Sequence, residues 1–227
     1  MSEYGQAPLE LDLFPLASWD EFMHYQYLPV RIPECSSDEM RLPERLRFLA
    51  PVVARALRDA RTVATHLQDP YVYVTARRGF ATPDNPLNRP GWHCDGFGTD
   101  DLNYVWWDTY PTRFWIGNPG IIEVSDDHHR SIDQFEALAV LYPDSIDDTM
   151  PGRQLYRLNP FVIHTTPNVP PPGTMRSFLK ISVSRHRYNL VGNSRNHLFE
   201  YRWPMVDRDV ARNDPHSAGA DFLQEVT

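Results

Sequence analysis

The segment Gly91-Trp92-His93-Cys94-Asp95-Gly96 sets an imidazole and a carboxylate two residues apart. In an extended strand, residues i and i+2 share a face. His93 and Asp95 therefore aim at one point, and Cys94 points away from it. Two ligands do not close a metal site. The third candidate is His164, at the end of the apolar run Phe161-Val162-Ile163, which reads as a buried strand. Two histidines and one carboxylate cover one face of an octahedron. This is the ligand set of non-haem Fe(II) oxygenases, whose opposite face stays open for reactants.

A cation follows. Arg176 begins the segment Arg176–Ser184, and Lys180 lies on the same face four residues on. A guanidinium grips a carboxylate through two parallel hydrogen bonds, so a fixed cation beside such a metal face suits a dicarboxylate co-substrate. Of 22 basic residues, Lys180 is the only lysine.

The pattern His93-x-Asp95, His164, Arg176 resembles the Fe(II)/2-oxoglutarate-dependent oxygenase superfamily. The Trp-His-Cys-Asp spelling and the Arg-x-x-x-Lys spacing are similar to its taurine-dioxygenase and phytanoyl-CoA-hydroxylase branches, over residues 70 to 187. The resemblance implies Fe(II) on His93, Asp95 and His164, with 2-oxoglutarate and O2 as co-substrates. It implies hydroxylation of a small-molecule substrate with release of succinate and CO2. It also implies that Thr112 helps to hold 2-oxoglutarate. Many members carry Arg-x-Ser after the second histidine. Here Arg176 is followed by Ser177-Phe178, whereas Lys180-Ile181-Ser182 has that shape with lysine substituted. Arg176 and Lys180 thus both stand as the cation for the distal carboxylate. Two other classes use the same kind of fold: a cupin-like metal enzyme that needs no 2-oxoglutarate, and a non-catalytic jelly-roll binding module.

The elements that must position these residues are short strands. Tyr71–Thr75, Asn103–Asp108, Thr112–Ile116, Ile121–Val124, Gly152–Leu158, Phe161–Thr166, Arg176–Ser184 and Phe199–Trp203 are β-branched or aromatic runs bounded by turn residues. Leu9–Leu13 alternates leucine with acid and reads as an edge strand. Residues 79 to 90 carry three prolines and read as a loop beside the site. Helices are expected at Ser18–Glu21, from Ser36-Ser37-Asp38 onward, and from Ser131–Gln134. The apolar stripe Leu42, Leu46, Leu49, Val53, Ala56, Ala60 marks the long one, with Pro51 dividing it. The fold class expected is mainly β with N-terminal helices around a double-stranded β-helix, a jelly-roll or cupin-like core. One domain spans 1–227: a helical annex at 1–69, the core at 70–203 and a charged tail at 204–227.

Composition sets outer bounds. A chain of 227 residues with 41% hydrophobic content can bury a core without staples. A net charge of −8 argues against duplex nucleic acid as a partner, since phosphate binding needs a basic footprint. Cys35 and Cys94 make no disulfide framework. No apolar run approaches the length of a membrane span, so a reducing, cytoplasmic setting and no membrane partner are expected. Asp126-Asp127-His128-His129 reads as a solvated loop, because adjacent side chains diverge. His186 and His197 lack a carboxylate at ligand spacing. Trp92, Trp106, Trp107 and Trp115 read as core.

Overall fold

The computed structural model describes residues 3–16, 19–35, 39–118, 120 and 123–207. Its strands are β1 (Leu9–Leu13), β2 (Met23–Arg31), β3 (Tyr71–Ala81), β4 (His93–Cys94), β5 (Leu102–Trp107), β6 (Arg113–Trp115), β7 (Ile146–Asp147), β8 (Gln154–Leu158), β9 (Ile163–Thr165) and β10 (Thr174–Ser184). They form two antiparallel sheets. The larger has the order β1-β8-β5-β10-β3-β2, and the smaller β4-β9-β6-β7.

Side-chain alternation along β10 explains how the layers stack. Leu179, Ile181 and Val183 face outward and join Val72, Val74, Ala76, Tyr104 and Trp106 in one apolar cluster. The helix α1 (Ala50–Val63) covers that face with Val52, Val53, Ala56, Leu57 and Ala60. Each fully buried valine or leucine there contributes roughly 1.5–3 kcal/mol. The even positions of β10 face inward. Phe178 packs with Val105, Trp107 and Tyr156 against Phe114 and Val162 of the smaller sheet's region. Both faces of β10 are thus covered, which is why it is buried almost throughout. The outer face of the smaller sheet is closed by α2 (His128–Leu141), whose Phe135, Leu138 and Ala139 pack on Trp92, Cys94, Trp115 and Ile163.

Several expectations are corrected. The segment at 1–69 is not purely helical, because β1 and β2 come from it and form the two edges of the larger sheet. No helix follows Ser18, which itself lies outside the described residues. The chain instead becomes β2, because pairing with β3 satisfies its backbone. The helix start expected at Ser36–Asp38 also lies outside the described residues. Helical structure begins at Glu44 as a 3-10 turn, and Pro51 sits in the first turn of α1, where its missing N–H costs nothing. Helix α2 begins at His128 rather than Ser131, because Asp127 accepts a hydrogen bond from Arg130 N at 2.9 Å and caps it. The hydroxyl of Ser131 donates instead to His128 O. Ile121 and Ile122 of one expected strand lie outside the described residues. Phe199–Trp203 is not a strand: Tyr201 O accepts from the Arg195 side chain, and Trp203 packs edge-on against Tyr71. Of the expected tail, residues 208–227 lie outside the described residues. Leu9–Leu13 is the edge strand its alternation suggests, and the four tryptophans named above are all buried.

Candidate metal centre

β4 and β9 pair so that His93 lies directly opposite His164. This register makes two residues distant in sequence into cross-strand neighbours, with ring centroids 4.6 Å apart. Asp95 comes immediately after β4. Gly96, at φ +75°, then turns the chain away in a conformation that L side chains rarely adopt. Ligand atoms of His93, Asp95 and His164 all lie within 4.8 Å of one another. Asp95 Oδ2 is 3.4 Å from His164 Nε2. Cys94 points to the opposite side, under α2, and burial raises its thiol well above the ordinary range.

Both imidazoles are oriented from behind. His93 Nδ1 is 2.7 Å from Gly91 O, and His164 Nδ1 is 3.1 Å from Val162 O. A carbonyl oxygen only accepts, so each Nδ1 donates and each neutral ring leaves its Nε2 lone pair free for a metal. Burial, then the neighbouring His164, pushes the His93 imidazole down to about 3, which favours the neutral, ligating form.

Lys180 closes the site from the larger sheet. Its Nζ donates to Asp95 Oδ1 at 2.8 Å and to the Tyr27 hydroxyl at 2.8 Å. Burial opposes charge on Asp95, yet the Lys180 ammonium beside it holds its carboxyl well below 3.8. Tyr27 reaches Lys180 because β2 carries an irregularity between Tyr25 and Leu28, which leaves Tyr27 at φ +45°. Bulges commonly re-aim a side chain beside functional sites. Its amide is met by Thr75 Oγ1 at 3.0 Å. Sequence reasoning missed Tyr27, since nothing in the spelling of β2 announces the irregularity.

The triad opens into a cavity of about 240 Å³ between the sheets, lined also by Tyr27, Thr75, Arg77, Arg89, Thr112 and Lys180. Thr75, Lys180 and Val105 stand side by side in the strand register, so one row of the larger sheet forms its wall. Arg176 does not line this cavity. It is fully buried one turn of the pleat further on, where Nε donates to Thr109 O and Tyr110 O and Nη1 to Asn88 Oδ1 at 2.6 Å. Its Nη2 is buried without a partner among the described residues, and so is Thr112 Oγ1. The loop after β3 does lie beside the site, through Asn88 and Arg89.

His128, expected in a solvated loop, is buried on the first turn of α2 with Nε2 3.2 Å from Arg89 Nη2. His186 joins Asp100 and Asp101 in a second group with ligand atoms within 4.8 Å. There Arg185 pairs with Asp100 at 2.8 Å and the Tyr188 hydroxyl donates to Asp101. His197 is exposed.

No protein-family model matches the sequence, and no curated protein matches it. The chemistry must be argued from the site. No helix among the described residues is long and apolar enough to cross a membrane.

Proposed function

We propose that the protein is an Fe(II)- and 2-oxoglutarate-dependent oxygenase that hydroxylates a small molecule. The observation that carries this reading is the convergence of His93, Asp95 and His164 on the wall of a cavity between two sheets, with both Nε2 atoms free to ligate. The strand orders support a double-stranded β-helix. From β3 to β6 the chain alternates between the sheets, and it does so again from β7 to β10. The cavity is below the 300–1,000 Å³ typical of drug-sized ligands, which suits a small co-substrate and a small substrate.

The residues present fit both groups. Two imidazoles and one carboxylate form the facial set that Fe(II) takes. Thr112 lines the cavity with a buried hydroxyl that has no partner among the described residues and that the far carboxylate of a keto diacid would satisfy, while Arg176 Nη2, also unmatched among the described residues, lies outside that lining. When bound, Fe(II), 2-oxoglutarate and O2 would supply the chemistry that converts a C–H bond to C–OH, O2 being the oxidant, with one of its oxygen atoms ending in the product hydroxyl and the other in succinate, and CO2 released from the keto acid. The protein's own part is positioning. Lys180 fixes one oxygen of Asp95 and leaves the other facing the two histidines. Gly91 O and Val162 O fix the imidazole tautomers. Arg176 and Lys180 both stand as the cation for the distal carboxylate: Lys180 lines the cavity but is engaged with Asp95, and Arg176 has an Nη2 unmatched among the described residues but lies behind the lining residue Asn88.

The test is succinate formation. Protein reconstituted anaerobically with Fe(II), then given 2-oxoglutarate and air, should form succinate above a protein-free control, and the Asp95→Ala variant should not. A protein that binds the metal but forms no succinate, and gains no thermal stability from 2-oxoglutarate, would instead fit a cupin-like enzyme. A protein that binds no metal would leave a jelly-roll binding module.

A further inference from the structure

The antiparallel pairing of β5 with β10 sets Leu102 opposite Val183. The chain just before β5 and the chain just after β10 therefore run side by side. They bring together Asp100, Asp101 and His186, whose ligand atoms all lie within 4.8 Å of one another. None of the three lines the cavity at the His93 triad.

Both acids are held through one oxygen. The Tyr188 hydroxyl donates to Asp101 Oδ2, and the Ser184 hydroxyl stands beside the same carboxylate. Arg185 Nη2 lies 2.8 Å from Asp100 Oδ2. The other oxygens, Asp100 Oδ1 and Asp101 Oδ1, are buried with no hydrogen-bond partner among the described residues. Thr99 is not a donor to them, because its hydroxyl donates to Gly96 O at 2.8 Å. Asp101 is 0% exposed. A buried carboxylate oxygen with no donor is costly unless a cation or an ordered water meets it. His186 is anchored through its backbone, which leaves its ring to act elsewhere. Its N donates to Ser184 Oγ at 2.9 Å, and its O accepts from the Tyr73 hydroxyl at 2.9 Å.

We propose that Asp100, Asp101 and His186 form a second metal site that takes Zn(II) as a structural ion. Zinc accepts imidazole nitrogen and carboxylate oxygen in tetrahedral geometry, whereas Ca(II) needs six or more oxygens. Two carboxylates balance the charge of one divalent ion. The fourth position is open to water or to His66, whose Nε2 lies 3.4 Å from Asp100 Oδ2. Arg185 does not bar the ion. Its pair with Asp100 is exposed, at 53% and 38%, and exposed pairs are weak. Bound zinc would tie the end of β10 to the start of β5. Through Asp101 it would also steady Tyr188, whose ring packs edge-on against Tyr27 at 5.2 Å. The site stands apart from the oxygenase reading and does not depend on it.

The experiment titrates Zn(II) into the full chain after chelator treatment, with calorimetry and elemental analysis of dialysed protein as readouts. Chelator-treated protein, in which Asp101 carries no ion, is the reference for every unfolding measurement. The His93→Ala variant disables the triad and should still bind one zinc ion and gain thermal stability from it. Adding His186→Ala should weaken that ion by about tenfold or more, because a ligand is lost. Asp100→Asn, at a partly exposed position, gives a second variant that tests the same ion without emptying the core. Arg185→Gln should keep it. Far-UV circular dichroism checks that each variant is folded. If His93→Ala protein binds no zinc, or if both His186→Ala and Asp100→Asn leave its zinc affinity unchanged, water meets the two orphaned oxygens and the proposal falls. Failure of the oxygenase reading looks different: wild-type protein would then bind a single zinc ion that His93→Ala leaves in place and His186→Ala removes.

Discussion

The ammonium of Lys180 lies 2.8 Å from Asp95 Oδ1, and the two side chains reach each other from opposite sheets. Both are largely buried, at 10% and 14% side-chain exposure. Removing one partner of a buried pair strands the other charge at a cost of about 3–5 kcal/mol, whereas replacing both is often neutral. Metal-free Asp95→Asn should therefore lose about 3 kcal/mol in urea unfolding. The double variant Asp95→Asn/Lys180→Met should recover most of that loss. A double variant no more stable than the single one would show that the pair is not what holds this part of the fold.

The two cations should separate by function. Lys180 touches Asp95, and Arg176 ties Thr109, Tyr110 and Asn88 together with one nitrogen unmatched among the described residues. Lys180→Ala should lower Fe(II) affinity by freeing Asp95. Arg176→Lys keeps the charge but loses the fork, so it should weaken 2-oxoglutarate binding about tenfold or more while metal affinity holds. Metal and co-substrate titrations done separately decide the matter. If Arg176→Lys leaves 2-oxoglutarate affinity unchanged and Lys180→Ala abolishes it, the roles are reversed.

The site was legible where it depends on spacing within one strand, and less so where it depends on register. His93 and Asp95 announce themselves because alternation fixes their shared face. His164 could be named from its apolar strand, but its direct opposition to His93 is set by pairing that only the folded sheet shows. Arg176 and Lys180 share a face in sequence and in structure. Which of them enters the cavity was hidden, because it turns on Asn88 and two loop carbonyls engaging Arg176. The strands of the core were legible from composition. β2 was not, since tertiary pairing with β3 outweighed a local capping pattern at Ser18.

Tyr27 is held at φ +45°, a conformation costly for an aromatic residue, and its hydroxyl accepts from Lys180. Tyr27→Phe removes the acceptor and leaves a buried charged donor one bond short. The cost should be about 1–3 kcal/mol in metal-free protein. Tyr27→Gly relieves the backbone but loses the same bond, so the two variants should differ in stability while both weaken the hold on Lys180. Chemical denaturation of the pair of variants measures this. Tyr27→Phe with wild-type stability would mean that the hydroxyl contact contributes nothing.

Asp101 gives a prediction about pH away from the metal centre. Its side chain is fully buried at the start of β5, and the Tyr188 hydroxyl donates to it. Burial raises its pKa above 3.8, outweighing the hydrogen bonds from Ser184 and Tyr188 that favour the charged form. A carboxyl raised in the folded state adds stability that is fully present below its unfolded pKa. That stability is lost as pH rises through the folded value. Asn at this position keeps an acceptor for Tyr188 and never ionises. The stability of Asp101→Asn relative to wild type should therefore improve from pH 4 to pH 8, when both are unfolded in urea in matched buffers. Titrations shared by the two proteins cancel in that difference. If the variant instead becomes relatively worse as pH rises, the carboxylate is stabilised in its charged form, and the hydrogen bonds from Tyr188 and Ser184 outweigh burial.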